Sequence, residues 1–505
     1  METELKLRLA RRHNAAFKRR MATLARPDSP AAGDLLCDRY FDTPTLDLAQ
    51  RDCGLRLRRQ GRRWLQTLKL GQRAGGGLHA REEFEVEVAG PGLEAERIAH
   101  AASRDWALAQ GEALAVIFET RIRRHRWCVD FADARIEISL DSGSLHAASA
   151  RCEINEVELE LLEGPVDALF ALALELAREL PLRPETGNKA AAGYALYRQQ
   201  PPAPSAARIP ALTPRMTPFE AVAATVREAM RHVLDNLSAL ETADDVTECV
   251  HQARIALRRL RLADAELDRI APPQDGGATA HDLGQYARRL GAVRDLDVFI
   301  ETTLPVLAGP DLAALRPALL RLRERRLRLA RAELAAPAFG CLLLELLRRL
   351  QRTARDAPPN RSQLADFVGG QFERRARRVR RLARDWPQLS TDARHELRKR
   401  IKALRYLSEF FSALYPPTAL RRYLAPLQSV QQELGDENDA AVGERLLHEL
   451  GRQQPQLAGR AAAAREALRQ RAAARRHNLG KTMRVLARRD GFWKTEVRRG
   501  GGKKK

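Results

Sequence analysis

The chain opens with the stretch ETELKL at residues 2–7, in which each charged side chain is followed by threonine or leucine. A period of two places successive side chains on opposite faces of a β-strand, so the stretch predicts a strand with one charged and one apolar face. Similar runs return at residues 55–58, 81–86, 135–138 and 156–161. Residues 1–200 therefore predict a domain built mainly of half-buried strands.

The charged faces of these strands carry both signs. The carboxylates are Glu2, Glu4, Glu83, Glu85, Glu137, Glu156, Glu158 and Glu160, and the cations are Lys6, Arg56, Arg58, Lys69, Arg81, Arg121 and Arg123. An ordinary sheet would leave these charges in solvent, whereas a sheet closed into a barrel would collect them in a wet tunnel. Clustered carboxylates bind Mg²⁺ or Mn²⁺ through oxygen, and Arg and Lys bind phosphate oxygens. The mixture of signs favours a metal together with a polyphosphate ligand, because enclosed charges of one sign are costly.

Several motifs in this half occur in a characteristic order. They are ExExK at 2–6, YFDT at 40–43, LRLR at 55–58, TLK at 67–69, RxExE at 81–85, RxR at 121–123, IxExExE at 154–160 and NKA at 188–190. In this order they resemble the CYTH, or triphosphate tunnel metalloenzyme, superfamily, and within it the bacterial inorganic triphosphatases, over residues 1–200. The resemblance implies an eight-stranded antiparallel tunnel that hydrolyses triphosphate with Mg²⁺ or Mn²⁺.

The resemblance also implies roles for particular side chains. The implied metal ligands are Glu2, Glu4, Glu158 and Glu160, and the implied phosphate-binding residues are Lys6, Arg56, Arg58, Lys69, Arg121 and Arg123. In the catalytic set, Glu83 and Glu85 would hold a second metal ion or orient the attacking water, and Lys189 would reach the substrate from the terminal helix.

A stretch rich in proline and alanine at residues 201–217 predicts a linker. Residues 1–200 hold 30 Lys+Arg and 30 Asp+Glu, while residues 201–505 hold 57 and 35, so the whole net charge of +22 lies after residue 200. Beyond the linker, apolar residues recur every three or four positions, which predicts long amphipathic helices. A strongly basic all-α domain favours a polyanionic partner such as polyphosphate, nucleic acid or an anionic membrane.

The helical half contains an internal repeat. The pattern HxxRxxxRxxR at 251–261 returns 144 residues later as HxxRxxxKxxR at 395–405, and LGAVRD at 290–295 returns at the same offset as LGDEND at 434–439. A duplication predicts two similar helical bundles about a pseudo-twofold axis. On a helix, each histidine and its three cations fall within an arc of about 80°, a stripe that a bound polyanion would neutralise.

The repeat resembles the CHAD domain, the conserved-histidine α-helical domain that often follows CYTH, over residues 218–495. The resemblance implies binding of inorganic polyphosphate and association with polyphosphate granules. The implied binding residues are His251, Arg254, Arg258, Arg261, His395, Arg398, Lys402 and Arg405. Arg294, Asp295, Asn438 and Asp439 are expected to orient these side chains or to cap helices.

Together these inferences predict a two-part α+β chain, with a CYTH tunnel at 1–200, a linker at 201–217, a CHAD domain at 218–495 and a basic tail at 496–505. Six cysteines without a C-x-x-C pair, and no apolar run near the roughly 18 residues of a membrane span, favour a cytoplasmic protein with no membrane association. Nucleic acid is the less favoured polyanion, because the chain is only 5% aromatic and has no stacking or groove-reading motif.

Three functions remain open at this point. The first is a metal-dependent triphosphatase that its helical half tethers to polyphosphate. The second is a polyphosphate-binding scaffold whose tunnel is slow or inactive. The third is a tunnel that acts on an organic triphosphate, by hydrolysing thiamine triphosphate or a nucleoside triphosphate or by cyclising ATP.

Overall fold

The computed structural model describes residues 2–27, 29, 33–75, 78–243, 246–272, 280–307, 310–356, 363–474 and 479–494. The predicted basic tail at 496–505 lies outside these residues. The chain divides into two compact units. The first contains residues 1–203, 237–244 and 335–352, and the second contains residues 204–236, 245–334 and 353–505.

The first unit is built around one antiparallel sheet. Its strands are β1 (Glu2–Arg8), β2 (Asp34–Asp42), β3 (Gly54–Gln60), β4 (Arg63–Gly75), β5 (Leu78–Val88), β6 (Ala115–Phe131), β7 (Ala134–Ala147), β8 (Ala150–Glu163) and β9 (Arg183–Pro184). The strand order is β5-β4-β3-β2-β6-β7-β8-β1, and β1 pairs again with β5, which closes the sheet. The predicted eight-stranded antiparallel tunnel is therefore confirmed, with one addition: the two-residue β9 pairs with β1 as a ninth strand.

The apolar faces of the strands point outward beneath helices. The helices of this part of the chain are α1 (Asn14–Leu24), α2 (Asp47–Gln50), α3 (Ala101–Gln110), α4 (Asp167–Glu179) and α5 (Lys189–Tyr197). On β1 and β8, Leu5, Leu7, Val157 and Leu159 have no exposed surface, and α4 packs against β8. Burial of this face fixes the strand register, because a slip of one residue would turn every leucine into the tunnel.

Helix α5 covers the inner face at one end of the tunnel. Tyr40 and Phe118 stack there with ring centroids 4.4 Å apart, and Tyr194 of α5 meets Phe118 edge-on at 5.3 Å. A Cβ atom on Gly193 would lie only 2.3 Å from the Phe118 ring, so the helix can approach this closely only with glycine at that position. The N-terminus of α5 is capped by Asn188, whose side chain accepts a hydrogen bond from the Ala191 N–H at 2.7 Å.

The rest of the chain is helical, as predicted. Its helices are α6 (Pro218–Thr242), α7 (Thr247–Ile270), α8 (Ala280–Val298), α9 (Arg316–Leu334), α10 (Pro337–Asp356), α11 (Leu364–Arg384), α12 (Thr391–Phe410), α13 (Pro417–Gln453), α14 (Ala458–Ala474) and α15 (Gly480–Arg488). None of the helices among the described residues is both long enough and apolar enough to cross a membrane.

The two copies of the repeat occupy equivalent helix pairs. The histidine motifs lie on α7 and α12, and the LG motifs lie on α8 and α13. Helix α7 contacts both α8 and α12, and α13 contacts both α12 and α8. Ala253 and Leu257 of α7, and Leu397 and Leu404 of α12, are fully buried, which leaves the cations on the other faces of the two helices.

Residues 201–217, the predicted linker, form neither helix nor strand. The segment is nevertheless docked on α6. The Ser205 N–H donates to Asn236 Oδ1 at 3.0 Å, and Asn236 Nδ2 donates to the Ser205 carbonyl at 2.9 Å. The linker is therefore held to the helical unit at this point.

Candidate functional site

Three carboxylates meet inside the tunnel and form what we term the carboxylate cluster. They are Asp141 on β7 and Glu156 and Glu158 on β8; all three are buried, and each offers an oxygen within 4.8 Å of the other two. Lys189, the first residue of α5, contacts all three, with its Nζ atom 2.9 Å from Asp141 and 3.0 Å from Glu158. The predicted reach of Lys189 into the tunnel thus ends on these carboxylates.

Two further cations complete this cluster. Lys6 Nζ lies 3.0 Å from a Glu158 oxygen, and Arg124 donates to Glu158 at 2.6 Å and to both Asp141 oxygens at 2.7 and 2.6 Å. Three carboxylates thus face three cations, so the cluster is close to neutral without a ligand. Such pairing is what allows charges to remain buried.

The pKa values of the cluster follow from burial and these partners. Burial alone would raise the pKa of Glu158, but Lys189 and Lys6 hold it well below its ordinary value, and Lys189 likewise lowers the pKa of Asp141 against burial. Burial raises the pKa of Glu156, which Lys189 only partly offsets. Burial would lower the pKa of Lys189, yet Asp141 and Glu156 raise it well above its usual range. Lys189 is therefore a permanent cation.

A second group, the arginine cluster, lines β3 and its neighbours. Arg58 donates to both oxygens of Asp38 at 2.7 and 2.9 Å, while Arg56 lies 3.7 Å from Asp38 and 3.2 Å from Glu83. Lys69 contacts Glu83 at 2.6 Å. Burial would raise the pKa of Asp38, but its hydrogen bonds with Arg58 lower it to about 2. Asp38 therefore stays ionised and fixes the position of the Arg58 guanidinium.

The two clusters face each other across the lumen. In the closed order of eight strands, β3 lies four places from β8 in either direction. Arg56 and Arg58 of β3 therefore stand opposite Glu156 and Glu158 of β8. A ligand that fills the lumen lies between the arginine cluster, which includes Asp38 and Glu83, and the carboxylate cluster, which includes Lys6, Arg124 and Lys189.

A row of three carboxylates, which we term the carboxylate row, runs across the inner face next to the carboxylate cluster. Glu4 of β1 pairs in register with Glu160 of β8, which in turn pairs with Glu137 of β7. Like charges directly opposite one another destabilise a sheet, and a hard divalent cation bound through oxygen would remove that repulsion. The predicted ligands Glu4 and Glu160, with Glu137, offer oxygen donors to such an ion, and Glu4 also lies 3.4 Å from Lys6 Nζ. The side chain of Glu2 lies outside the described residues.

The predicted ligand Glu158 and the predicted catalytic pair Glu83 and Glu85 already have protein partners. Glu158 binds Lys6, Arg124 and Lys189, as described above. Glu83 contacts Arg56 and Lys69, and Glu85 accepts a hydrogen bond from the Thr67 hydroxyl at 3.0 Å. Glu83 and Glu85 of β5 therefore lie with the arginine cluster, on the strand that pairs with β1.

Arg121 and Arg123 are not brought to the tunnel lining. Both are exposed on the outer face of β6, where Arg121 is 64% exposed and lies 3.7 Å from Glu119. The inner face of this strand carries Arg124, in register with Asp141, and Arg126, in register with Ser139. The structure corrects the expectation for Arg121 and Arg123, because both point away from the tunnel. Arg124, one residue after Arg123 and on the opposite face of the strand, is the cation that reaches the carboxylates.

The helical unit holds a second candidate site, a pocket of about 150 Å³ that we term the helical pocket. From the predicted binding set it is lined by His251 and Arg254 of α7 and by Arg398 of α12. The residues expected only to orient them, Arg294, Asp295, Asn438 and Asp439, belong to the same lining.

A glycine of the LG motif lies beside each of the pocket arginines. A Cβ atom on Gly291 would lie 3.2 Å from Arg254 Nε, and a Cβ atom on Gly435 would lie 3.7 Å from Arg398 Nη2. Gly291 and Gly435 are themselves separated by the repeat offset of 144 residues. Only in the first copy is the approach tighter than ordinary van der Waals contact, so the glycine of the LG motif makes room for Arg254 at Gly291, whereas Gly435 would leave space for a Cβ beside Arg398.

The cations of this site lack the partners that buried cations usually have. Across the described ranges of the chain, Arg254, Arg258, Arg398 and Lys402 make no ion pair within 4.0 Å of a carboxylate. The Nε atoms of Arg254 and Arg398, and Nδ1 of His251, are buried without a hydrogen-bond partner. Buried donors that remain unsatisfied indicate a missing acceptor.

The same crowding lowers the pKa values of these groups. Burial, assisted by Arg258, lowers the pKa of Arg254 to about 10, and burial lowers that of Arg398 despite Asp439. Burial, together with Arg398, Arg258 and Arg254, lowers the pKa of Lys402 to about 7. These cations therefore lack enough neighbouring negative charge, which a bound anion would supply.

The remaining predicted binding residues lie apart from the pocket lining. Arg261 is exposed and lies against Gly284, and His395 is also exposed. Arg405 Nε lies 3.4 Å from Glu409. Arg258 and Lys402 act on the pocket arginines through their charge.

Sequence reasoning missed three charged residues of the tunnel, Asp38, Arg124 and Asp141. A signal existed for Asp141, since the alternation that begins at Arg135 continues through Glu137 and Ser139 to Asp141. Asp38 likewise alternates with Tyr40 and Asp42 of the same strand.

The comparisons with known proteins follow the same division. Residues 1–194 match the family model of the CYTH domain, and residues 224–448 match that of the CHAD domain. An inorganic triphosphatase of Haemophilus influenzae is 32% identical over 164 residues, which are 32% of this chain and 46% of that protein. The chain thus matches less than half the length of that relative.

A solved structure resembles the helical part. The crystal structure of the CHAD domain from the plant Ricinus communis is 30% identical and has a TM-score of 0.53, and the match covers 57% of this chain and 98% of that one. The similarity supports the helical fold described above.

Proposed function

The chain joins a CYTH domain to a CHAD domain, and from that premise we propose that the tunnel hydrolyses inorganic triphosphate with a divalent metal ion while the helical unit binds inorganic polyphosphate. One observation carries the first part: the arginines of β3 face the carboxylates of β8 across a closed lumen. The relation to an inorganic triphosphatase supports this choice of substrate over an organic triphosphate.

The residues of the tunnel divide the work as follows. Arg56, Arg58 and Lys69 bind the phosphate oxygens and orient the chain of the substrate along the lumen. Glu4 and Glu160, with Glu137, would hold Mg²⁺ or Mn²⁺. The ion would neutralise phosphate charge while water attacks the terminal phosphorus in line. Lys189 and Arg124 hold Glu158 and Asp141 in place, which fixes the wall beside Glu4, Glu160 and Glu137.

The test of the first part is phosphate release by the full chain with Mg²⁺ or Mn²⁺. Inorganic triphosphate, ATP and thiamine triphosphate are compared as substrates at equal concentration. We expect inorganic triphosphate to give the highest kcat/KM, because the lining described here consists of groups that bind phosphate. Turnover of ATP or thiamine triphosphate alone would contradict the proposal and favour the organic-triphosphate alternative.

The helical pocket supports the second part of the proposal. We expect the double substitution of Arg254→Gln and Arg398→Gln to weaken binding of long-chain polyphosphate by about a hundredfold, because each lost charge-assisted hydrogen bond contributes about 1.5 kcal/mol or more. The affinity is measured by titration at moderate salt, without divalent metal.

The matched control for that pair is Arg374→Gln with Arg378→Gln, which removes two exposed arginines of α11 and changes the net charge equally. If the control pair weakened binding as much as the pocket pair, the site would be a diffuse basic surface and the pocket would have no special role.

The low pKa of Lys402 predicts a pH dependence. Polyphosphate would restore the proton of Lys402, so binding takes up one proton wherever the free protein lacks it. We therefore expect affinity to fall as pH rises from 7 to 9, by at most about tenfold per pH unit. In Lys402→Arg, which restores the residue of the first copy at Arg258, the decline should disappear. An unchanged pH profile in that variant would contradict this assignment.

A further inference from the structure

An open groove of about 650 Å³ lies on the helical unit, where α14 packs against the C-terminal part of α13. Its lining includes four hydrogen-bond donors, which are Arg445, His448 and Arg452 of α13 and Arg465 of α14. We propose that this groove binds a small ligand with two separate phosphate groups, such as a sugar bisphosphate. The site goes beyond the proposed function, because none of these four residues belongs to the tunnel or lines the helical pocket.

Helical spacing explains which face of α13 lines the groove. Arg445, His448 and Arg452 are separated by three and four residues, so they fall within an arc of about 60°. The leucines between them are buried in the core of the helical unit. The three side chains therefore lie on the opposite face of the helix, where all three are exposed.

The carboxylates of the groove do not neutralise its arginines. Within the part of the chain that the structure describes, the three arginines of the groove make no ion pair within 4.0 Å. Glu444 and Glu449 belong to the lining, but each is bound to an arginine outside it. Glu444 lies 3.1 Å from Arg469, and Glu449 lies 2.5 Å from Arg326. The groove therefore carries an excess of positive charge.

Arg465 and His448 contact each other across the two helices. Arg465 Nη1 lies 3.5 Å from His448 Nδ1, and Arg465 Nε is buried without a hydrogen-bond partner. Because a guanidinium only donates, His448 Nδ1 accepts in this contact and the other ring nitrogen, Nε2, carries the proton. Both side chains can thus donate to a ligand, and the buried Nε indicates a missing acceptor.

The charge and spacing of the arginines indicate the class of ligand. Each phosphate monoester carries a charge of about −1.5 to −2 at pH 7, so two of them balance three arginines, whereas a dicarboxylate carries less. Arg445 and Arg452 are seven residues apart, which separates their backbones by about 10 Å along α13. This spacing suits two phosphate groups held apart by a carbon skeleton better than a single phosphate group.

The rest of the lining agrees with a hydroxylated skeleton. The volume of the groove is in the range of small-molecule sites, so it leaves room for such a skeleton. Glu444, Glu449 and Gln453 add oxygen acceptors for hydroxyl groups. The described lining has no phenylalanine, tyrosine or tryptophan on which a nucleotide base would stack.

The groove belongs to the second copy of the repeat only. Where the first copy leaves the regular α-helix after Val298, α13 continues to Gln453. Position 301, which precedes Arg445 by the repeat offset of 144 residues, is a glutamate, and position 304, which precedes His448 by the same offset, is a leucine. Most of the lining also follows residue 448, where the match to the family model of the CHAD domain ends. The groove is therefore not a second version of the helical pocket.

The test is titration of the full chain with fructose 1,6-bisphosphate at pH 7 and moderate salt, in the presence of EDTA. Fructose 6-phosphate, which lacks one of the two phosphate groups, is the matched ligand. We expect the bisphosphate to bind at least tenfold more tightly, because its second phosphate group adds charge-assisted hydrogen bonds to arginine. Equal binding of the two sugars, or no measurable binding of the bisphosphate, would overturn the inference.

The double substitution of Arg452→Gln and Arg465→Gln identifies the groove as the site. It should lower the affinity for the bisphosphate to that for the monophosphate. Arg445 is left unaltered, because its charge also acts on Asp295 of the helical pocket. Arg452→Gln alone changes an exposed side chain and should weaken binding in the same direction, which guards against loss of folding in the double variant. A preference for the bisphosphate that survives in both variants would place its site elsewhere.

Two control pairs complete the experiment. Arg254→Gln with Arg398→Gln in the helical pocket, and Arg374→Gln with Arg378→Gln on the exposed face of α11, should both leave bisphosphate binding unchanged. Loss of binding in the first pair would assign the ligand to the helical pocket, and an equal loss in the second pair would indicate a diffuse basic surface. Either result overturns the inference. The proposed function is measured with triphosphate and polyphosphate, so it stands or fails independently.

Discussion

We expect Glu4→Gln to lower kcat/KM for inorganic triphosphate by about a thousandfold. Glu4 belongs to the carboxylate row with Glu160 and Glu137, and glutamine keeps its size while removing the charge that holds a divalent cation. A bound ion supplies several kcal/mol of charge stabilisation, and each factor of ten in rate corresponds to about 1.4 kcal/mol. The measurement is phosphate release by the full chain over a range of Mg²⁺ and Mn²⁺ concentrations.

Two features of the result would be specific to metal binding. The variant should need a higher metal concentration to reach half of its maximal rate, and a high concentration of Mg²⁺ or Mn²⁺ should restore part of the activity. Glu153→Gln is the matched control, because Glu153 lies on the exposed face of β8 with 62% of its side chain accessible. Normal turnover and normal metal dependence in Glu4→Gln would remove Glu4 from the metal site.

The sequence predicted the tunnel because two signals agreed. Alternation of charged residues and leucine, as at residues 2–7, predicted which face of each strand is charged. The order of the motifs resembled a family with an eight-stranded tunnel and so predicted the number of strands. Alternation failed at β6, where Arg123 and Arg124 are adjacent and the apolar Ile122 lies on the inner face. With arginine on both faces, the pattern cannot indicate which arginine lies inside; only the partner does, and Arg124 pairs with Asp141.

The helical repeat shows a different limit. Helical periodicity grouped His251 with Arg254, Arg258 and Arg261 on one face of α7, but of these only His251 and Arg254 line the pocket and Arg261 is exposed. The periodicity of a helix does not show which residues its face contacts. Arg254 enters a pocket because Gly291 of another helix leaves room beside it. His395, at the equivalent position to His251, is exposed, so the shared motif does not give the two histidines the same surroundings.

We expect Lys189→Met to reduce the free energy of unfolding of the tunnel by about 3–5 kcal/mol at pH 7. Methionine retains the length of the side chain and removes the cation that contacts Asp141, Glu156 and Glu158. Three carboxylates would then share Lys6 and Arg124. The stability is followed as hydrogen exchange of β8 amides in increasing denaturant, so that unfolding of the helical unit does not obscure the transition.

The pH dependence tests the cause of this loss. The lowered pKa values of Asp141 and Glu158 contribute stability that is present above about pH 4, their ordinary range, and is lost as pH falls through the folded-state values. The unaltered protein therefore loses this contribution on acidification, whereas Lys189→Met keeps only the part that Lys6 and Arg124 supply. The two stabilities should converge as pH falls below 4, through the lowered folded-state pKa values of Asp141 and Glu158.

Two further variants separate a buried pair from an exposed one. Arg11→Met breaks the Arg11–Glu153 ion pair, in which both side chains are at least 60% exposed, and should change stability little, since such pairs contribute about 0–1 kcal/mol. Adding Glu156→Gln to Lys189→Met should recover part of the loss, because burial already raises the pKa of Glu156 and makes its charge costly. A Lys189→Met protein as stable as the unaltered one at pH 7 would mean that Lys6 and Arg124 suffice, and that Lys189 is free to serve the substrate.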